Sequence, residues 1–177
     1  MIDRQGAHPS GGRAAGNRAA SGKAVDDELF HDLRRAILEL DPATLDPLPA
    51  AAGLPLWGAL MEIGTRERAV SLVTLVDGTT SVYLSTGGGI IGAGDHEPVA
   101  AASVDFLSLL GSRIERFTPD TDDSLPEPGL VVIRVLTYDG RRRTDNAGRA
   151  PRRSADDLVE LYAAGRRVLT EIQLASR

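Results

Sequence analysis

The sequence predicts an α+β fold in which an antiparallel sheet of four or five strands packs against an N-terminal, a central and a C-terminal helix. Three observations predict it. Apolar residues recur at helical spacing in three separate segments. Runs rich in β-branched residues lie between these segments, and Asp77-Gly78 joins two of them in the manner of a tight hairpin. Because hairpins join neighbouring strands, the predicted sheet is antiparallel. The predicted order of elements along the chain is helix, three strands, helix, one or two strands, helix.

The composition limits the classes of function. The 177 residues fit one domain, and 42% hydrophobic residues are enough for a packed core. A net charge of −5 argues against a nucleic-acid partner, because phosphate neutralisation needs clustered Lys and Arg. The sequence has no Cys, which excludes disulfides and thiol catalysis. No apolar run approaches the roughly 20 residues of a membrane span, so we expect a cytoplasmic protein without membrane contact.

Residues 1–24 differ in composition from the rest of the chain. They contain five Gly and six Ala, no Leu, Val or aromatic residue, and more basic than acidic groups. Such a segment cannot bury enough apolar surface to offset the entropy that is lost on ordering. We therefore expect a disordered basic tail at 1–24, followed by a single α+β domain at 25–177.

The first helix is predicted at residues 26–40. Leu29, Leu33 and Ile37 recur at a spacing of four and form one apolar stripe. Acidic residues occupy the first turn, where the helix dipole favours negative charge. Pro42 ends the helix and opens a proline-rich connector.

The first strand is predicted at residues 56–63. Alternation along a strand would place Trp57, Ala59 and Met61 on one face and Leu60 on the other.

The predicted hairpin pairs residues 69–76 with residues 79–85. Both strands carry apolar residues on both faces, which indicates that the first of them is central and covered on both sides.

The central helix is predicted at residues 97–117, where apolar residues recur at spacings of three and four. It is followed at 118–128 by a loop with four acidic residues and three prolines, which we call the acidic loop.

A strand is predicted at residues 130–138. Asp139-Gly140 resembles a second hairpin turn and leads into a polar strand or loop at 141–146. The last helix is predicted to begin at Ser154, in an acidic variant of the capping box.

Five glycines fall within eight residues between the second hairpin strand and the central helix, and they define the glycine loop: Gly87, Gly88, Gly89, Gly92 and Gly94. The segment formally satisfies G-x-G-x-x-G, but a dinucleotide site needs a helix that opens inside the motif. Here the preceding strand is a hairpin arm, and the helix begins only after Asp95. The loop contains no Lys for a Walker-type phosphate site.

Three interpretations of the glycine loop stay open. The first is that its backbone geometry requires glycine. The second is contact with a protein partner. The third is a small-ligand cradle or enzyme pocket that includes Tyr83, Thr86 and His96 beside the loop.

No catalytic residue, metal site or cofactor is predicted. No nucleophile-elbow motif surrounds Thr86. Asp95, His96 and Glu97 are adjacent, and neighbouring helical residues point about 100° apart, which does not suit one metal ion.

An arginine run is the candidate site for an acidic partner: Arg141, Arg142 and Arg143. Consecutive residues of a strand alternate faces, so the three do not form one patch. The acidic loop is a candidate counterpart, within one chain or between subunits. The alternative is a solvated edge strand whose charge protects against aggregation.

The order of the predicted elements resembles that of small profilin-like regulatory domains of the longin and roadblock kind. The resemblance covers about residues 26–174 and departs in one respect, since three strands precede the central helix here and two in the roadblock pattern. It implies a domain that dimerises or docks to GTPases.

We therefore expect a non-enzymatic module that works through protein–protein contact as a homodimer, with the glycine loop and the central helix near the contact. The alternative hypothesis is a small-ligand-binding domain or enzyme with its pocket at residues 87–94.

Overall fold

The computed structural model describes residues 18–45, 53–144 and 156–177, and it has α+β architecture. Three α-helices are present in these ranges: α1 (Arg18–Leu38), α2 (Glu97–Ser112) and α3 (Asp156–Ala175). Seven strands form one sheet: β1 (Leu56–Gly64), β2 (Ala69–Leu75), β3 (Thr80–Leu84), β4 (Gly89–Ile90), β5 (Thr118–Pro119), β6 (Val131–Thr137) and β7 (Gly140–Arg143).

The strand order is β4-β3-β2-β1-β6-β7-β5, and all neighbouring strands are antiparallel. The predicted α+β class and antiparallel sheet are confirmed. The predicted count of four or five strands is wrong, because the sheet has seven. The additional strands β4 and β5 have two residues each, and so short a strand shows no alternation in a sequence.

The helices cover both faces of the sheet. α2 and α3 pack on one face, where Met61, Phe106 and Leu161 are fully buried. α1 lies on the other face, where Phe30 packs in a cluster with Leu60. Because β1 is central and covered on both sides, residues 56–62 are all buried.

The prediction that Trp57 shares a face with Ala59 is wrong. The register between β1 and β6 shifts beside Trp57, and a β-bulge of this kind inserts one residue and reverses the alternation. Trp57 instead joins Leu60 on the α1 face, and its indole N–H donates to the carbonyl oxygen of Thr137 at 3.2 Å.

Two helix boundaries differ from the prediction by more than two residues. α1 begins at Arg18 rather than at residue 26, because the preceding segment contains three Ala, the strongest helix former. The helix therefore includes residues 18–24 of the predicted tail, and residues 1–17 lie outside the described residues. α2 ends at Ser112 rather than at residue 117, because Gly111 and Ser112 have low helix propensity. A 3₁₀ turn follows the helix.

The C-terminal boundaries are described in part. β7 ends at Arg143, while the rest of the predicted polar strand beyond Thr144 and the predicted helix start at Ser154 lie outside the described residues. Within the described ranges, no helix combines the length and the apolar character that a membrane crossing requires.

The two edges of the sheet are unequally protected. At one edge, β5 contains Pro119, which has no N–H for a further strand, and β7 beside it carries three arginines. At the other edge, β4 lies within residues 86–94, which contain neither a charge nor a proline. Charge and proline are the usual protection of a sheet edge, and β4 has neither, although it is short.

Candidate functional site

The glycine loop connects β3 to α2 with a backbone that glycine adopts readily. Three of its residues have a left-handed backbone, with φ of 91°, 84° and 74°: Gly87, Gly88 and Gly92.

The other two glycines of the loop permit close approach of the backbone. A Cβ at Gly89 would collide with the carbonyl oxygen of Val82 on β3. A Cβ at Gly94 would collide with the carbonyl oxygen of Gly78 in the hairpin turn. Backbone geometry alone therefore accounts for the glycine content of the loop.

An apolar groove lies between α1 and the glycine loop, and its cavity volume is 190 Å³. The lining residues come from α1, β3 and the glycine loop: Leu29, Phe30, Leu33, Tyr83, Leu84, Gly88, Gly89 and Ile91. Of the residues predicted for a ligand or partner site, the structure brings together Tyr83, Gly88 and Gly89.

The remaining predicted residues of this set do not line the groove. Thr86 is exposed in the turn after β3. His96 is exposed before α2, and its side chain makes no capping hydrogen bond. Gly87, Gly92 and Gly94 shape the loop. In the ranges that the structure describes, no three His, Asp or Glu side chains are grouped as metal ligands.

Sequence reasoning misses the two most exposed side chains of the groove. Leu29 is 53% exposed and Ile91 is 71% exposed. Leu29 belongs to the predicted apolar stripe of the first helix, but Phe30 beside it takes the buried position. Leu29, Leu33 and Ile37 span an arc of about 80° on the helix, so the stripe by itself does not show that its first residue is exposed.

A buried charge network lies on the same face of the sheet. Glu62 and Arg134 are both fully buried and form an ion pair. Arg34 of α1 donates from Nε and Nη2 to the two oxygens of Glu62 at 2.7 and 3.0 Å, and the Ser71 hydroxyl donates to Oε1 at 2.9 Å. Asp120 accepts from Nε of Arg134 at 2.9 Å. Two buried carboxylates thus face two buried guanidinium groups, and each is hydrogen-bonded.

The same arginines hold the backbone of the acidic loop over the sheet. Nη2 of Arg134 donates to the carbonyl oxygens of Asp122 and Ser124 at 3.0 and 2.9 Å. Nη1 of Arg34 donates to the carbonyl oxygen of Asp123 at 2.9 Å. Hydrogen bonds from these two arginines to main-chain carbonyl oxygens therefore hold the acidic loop against the sheet.

The arginines of β7 lie on both faces of the sheet. Arg141 and Arg143 are on the α1 face, where they form ion pairs with Asp123 at 2.6 Å and with Asp122 at 2.7 Å. Arg142 lies on the face of α2 and α3. For two of the three predicted arginines, the acidic loop is thus an intramolecular counterpart.

These contacts determine the ionisation of two groups. The backbone and side chain of Ser124, followed by the side chain of Arg143, hydrogen-bond to Asp122 and hold its pKa well below the ordinary value. Burial by itself lowers the pKa of Arg34, but the hydrogen bond and charge of Glu62, with other nearby carboxylates, outweigh burial and raise it.

Sequence reasoning does not predict the charge network. Glu62 and Arg134 are each the single charged residue of an otherwise apolar strand, which is the signal that the sequence offers. The two residues are 72 positions apart, so the pattern of either strand alone does not show that they meet.

Comparison with known proteins finds no relative, since no family model, no curated protein and no solved structure matches the chain with significance.

Proposed function

We propose that the protein is a non-enzymatic cytoplasmic module that acts through protein–protein contact, and that its partner is a second copy of the same chain. The observation that carries the proposal is the pair of exposed side chains, Leu29 and Ile91, at the apolar groove. Large apolar side chains grouped at a concave surface favour burial against a protein. The absence of Cys is compatible with a reducing cytoplasm.

The size of the apolar groove favours a side chain over a cofactor as its occupant. Its volume is 190 Å³. Sites for drug-sized ligands measure about 300–1,000 Å³, whereas an apolar cavity of about 150 Å³ holds one benzene molecule. The groove therefore matches one leucine- or phenylalanine-sized side chain.

The position of Ile91 supports self-association. It lines the groove and projects from its rim, so that a protruding side chain and a hollow occupy the same surface. A two-fold contact buries the same patch of both subunits, which requires such self-complementarity. Ile91 of each copy would enter the groove of the other.

The charge of this surface also favours a second copy. Near a two-fold axis, a charged residue faces its own copy, and like charges placed together are destabilising. Residues 86–94 carry no charge, although the chain as a whole has a net charge of −5. This segment therefore meets its own copy without repulsion.

The β4 edge adds a backbone contribution to the same contact. It is the edge without charge or proline, and it borders the apolar groove through Gly89. An exposed edge strand accepts a further strand through main-chain hydrogen bonds. Pairing of β4 with β4 of a second copy would align the two grooves.

The resemblance to profilin-like regulatory domains gives partial support. Helices on both faces of an antiparallel sheet agree with it, and those domains dimerise or dock to GTPases. The four strands that precede α2 widen the departure from the roadblock pattern. The central helix, which was expected near the contact, contributes no residue to the described lining of the groove.

Analytical ultracentrifugation of the wild type and of Ile91→Asp tests the proposal. The side chain is 71% exposed, so the substitution leaves folding intact. We expect a wild-type dimer and an Ile91→Asp monomer. Leu174→Asp, at a 53% exposed position on α3, is the matched control and should remain dimeric.

A wild type that stays monomeric throughout the micromolar range would contradict the proposal, as would a dimeric Ile91→Asp. The alternative, a small-ligand site at the glycine loop, predicts an extra mass on the folded protein in native mass spectrometry. That mass should be lost when Tyr83 is replaced by Ala, because Tyr83 lines the groove.

A further inference from the structure

Two Asp-Gly pairs lie at tight turns of the sheet, and the structure restrains them differently. Asp77-Gly78 lies between β2 and β3, and Asp139-Gly140 lies where β6 turns into β7. An Asp-Gly pair is chemically reactive, because glycine has no side chain to crowd its main-chain nitrogen and lets the backbone turn toward the aspartate carboxyl group. The two turns therefore offer the same reaction in two environments.

The turn at Asp77 is restrained on both sides of the reactive bond. The Asp77 carboxylate accepts a hydrogen bond from the main-chain N–H of Thr79 at 2.9 Å. The carbonyl oxygen of Gly78 lies so close to Gly94 of the glycine loop that a Cβ on Gly94 would collide with it. Approach of the Gly78 nitrogen to the Asp77 carboxyl group therefore requires a hydrogen bond to break and packed main chain to move.

The turn at Asp139 lacks both of these restraints. Asp139 and Gly140 are exposed. In the described part of the chain, the Asp139 carboxylate accepts no hydrogen bond, and a Cβ on Gly140 would meet no atom beyond its chain neighbours within 4 Å. An exposed turn with few packing contacts opens locally at low cost in free energy, so this pair reaches the reactive geometry more often than Asp77-Gly78 does.

We propose that Asp139 is a site of covalent modification, at which it converts to isoaspartate through a cyclic imide shared with Gly140. The Gly140 nitrogen forms a bond to Cγ of Asp139 and gives up its proton, while one carboxyl oxygen leaves as water. Water then opens the imide. Cleavage of the bond from this nitrogen to the main-chain carbonyl carbon of Asp139 leaves isoaspartate, and cleavage of the new bond restores aspartate. Water is the only other reactant, and no step is an oxidation or a reduction.

The modification would change the main chain at the start of β7. Isoaspartate carries the chain through Cβ and Cγ, which adds one methylene group to it. Gly140 would then be displaced from Thr137, whose hydroxyl donates to the Gly140 carbonyl oxygen at 2.6 Å. The next residue, Arg141, forms the ion pair with Asp123, so the displacement would extend to the contact between β7 and the acidic loop.

Peptide mapping of the full chain tests the proposal. The protein is stored for several weeks at neutral pH and physiological temperature in heavy-oxygen water, so that each imide that is hydrolysed takes up one heavy oxygen atom. Digestion with trypsin in ordinary water then releases Asp139 in residues 135–141 and Asp77 in residues 69–113. We expect label and isoaspartate at Asp139 to exceed those at Asp77 by at least about fivefold, the effect of one hydrogen bond that must break.

Two controls separate the fold from the local sequence. Asp139→Glu keeps the charge at an exposed position, but its side chain would have to close a larger ring that forms more slowly, so residues 135–141 should take up no label. Storage in urea at a concentration that unfolds the chain removes both environments, and Asp77 and Asp139 should then react equally.

Four results would overturn the proposal. The first is equal uptake of label at Asp77 and Asp139 in the folded protein. The second is no uptake at Asp139 in the folded protein while the unfolded chain reacts. The third is a difference between the two turns that persists in urea, which would assign it to flanking sequence. The fourth is unchanged uptake in Asp139→Glu, which would place the label elsewhere in the peptide.

Discussion

Glu62 and Arg134 form an ion pair in which neither side chain reaches solvent, at the junction of the two central strands β1 and β6. Arg34 and Asp120 extend the pair into a network of two positive and two negative groups. Removal of one member of a buried pair leaves an uncompensated charge, which costs far more than loss of an exposed pair. The network therefore links α1, the sheet and the acidic loop into one cooperative unit.

Glu62→Gln should be severely destabilising. It keeps the shape of the side chain but leaves Arg34 and Arg134 buried with the carboxylate of Asp120 alone. We expect the free energy of unfolding in urea to fall by about 3–5 kcal/mol, a large fraction of the typical total of about 5–15 kcal/mol.

The control for this variant is Arg167→Gln. Arg167 pairs with Asp105 at 3.3 Å, and both side chains are more than half exposed. Its loss should change the free energy of unfolding by about 0–1 kcal/mol. Equal losses in Glu62→Gln and Arg167→Gln would contradict the description of the network.

Asp122 should make folding sensitive to acid. Its pKa is lower in the folded protein than the value of about 3.9 in an unfolded chain. A lowered pKa contributes stability that is fully present well above the unfolded-state pKa and is lost as the pH falls below about 5, because the unfolded chain then binds a proton that the folded state does not. In Asp122→Asn, the free energy of unfolding should decline less steeply between about pH 5 and pH 2.

Arg143→Gln removes one of the hydrogen bonds that lower the pKa of Asp122 and should give an intermediate slope. Wild-type and Asp122→Asn curves of the free energy of unfolding against pH that run parallel below pH 4 would refute the assignment.

Gly64→Ala should displace the acidic loop from the end of β1. A Cβ at Gly64 would lie 2.5 Å from the carbonyl oxygen of Pro126 and would also collide with that of Glu127. The main chain cannot yield easily, because Gly64 and Gly129 are joined by a hydrogen bond of 2.8 Å. We expect a loss of about 1–3 kcal/mol in the free energy of unfolding.

Gly111→Ala is the comparison for Gly64→Ala. Its Cβ would approach only side chains, with Pro55 Cδ nearest at 3.3 Å, and alanine favours the helix by about 1 kcal/mol. Chemical denaturation of both variants should therefore show a clear loss for Gly64→Ala only. A similar loss in both would argue against the close approach at Gly64.

The long periodic segments could be predicted from the sequence. β1 to β3 lie within one residue of the predicted limits at every end, and the helices were predicted in the correct order. These predictions are correct because the local pattern of apolar residues follows the face of the strand or helix that is buried. The prediction for Trp57 is wrong because a β-bulge in the pairing with β6 reverses the alternation of faces locally.

The candidate sites could be predicted only in part. Tyr83, Gly88 and Gly89 belong to the predicted set and line the apolar groove, but the opposite wall of the groove comes from α1, at least 50 residues earlier. The two arginine partners of Glu62 are likewise distant, at separations of 28 and 72 residues. Such contacts follow from strand order and helix placement, which no single segment encodes.

The unequal edges of the sheet limit the size of any assembly that grows by strand addition. A protein with two permissive edges can add copies at both ends without limit and form a fibre. Here Pro119 and the arginines of β7 protect one end, and in the proposed dimer the β4 end alone would accept another strand. A contact between the β4 edges of two copies would use the unprotected edge of each sheet, so the assembly would stop at a dimer.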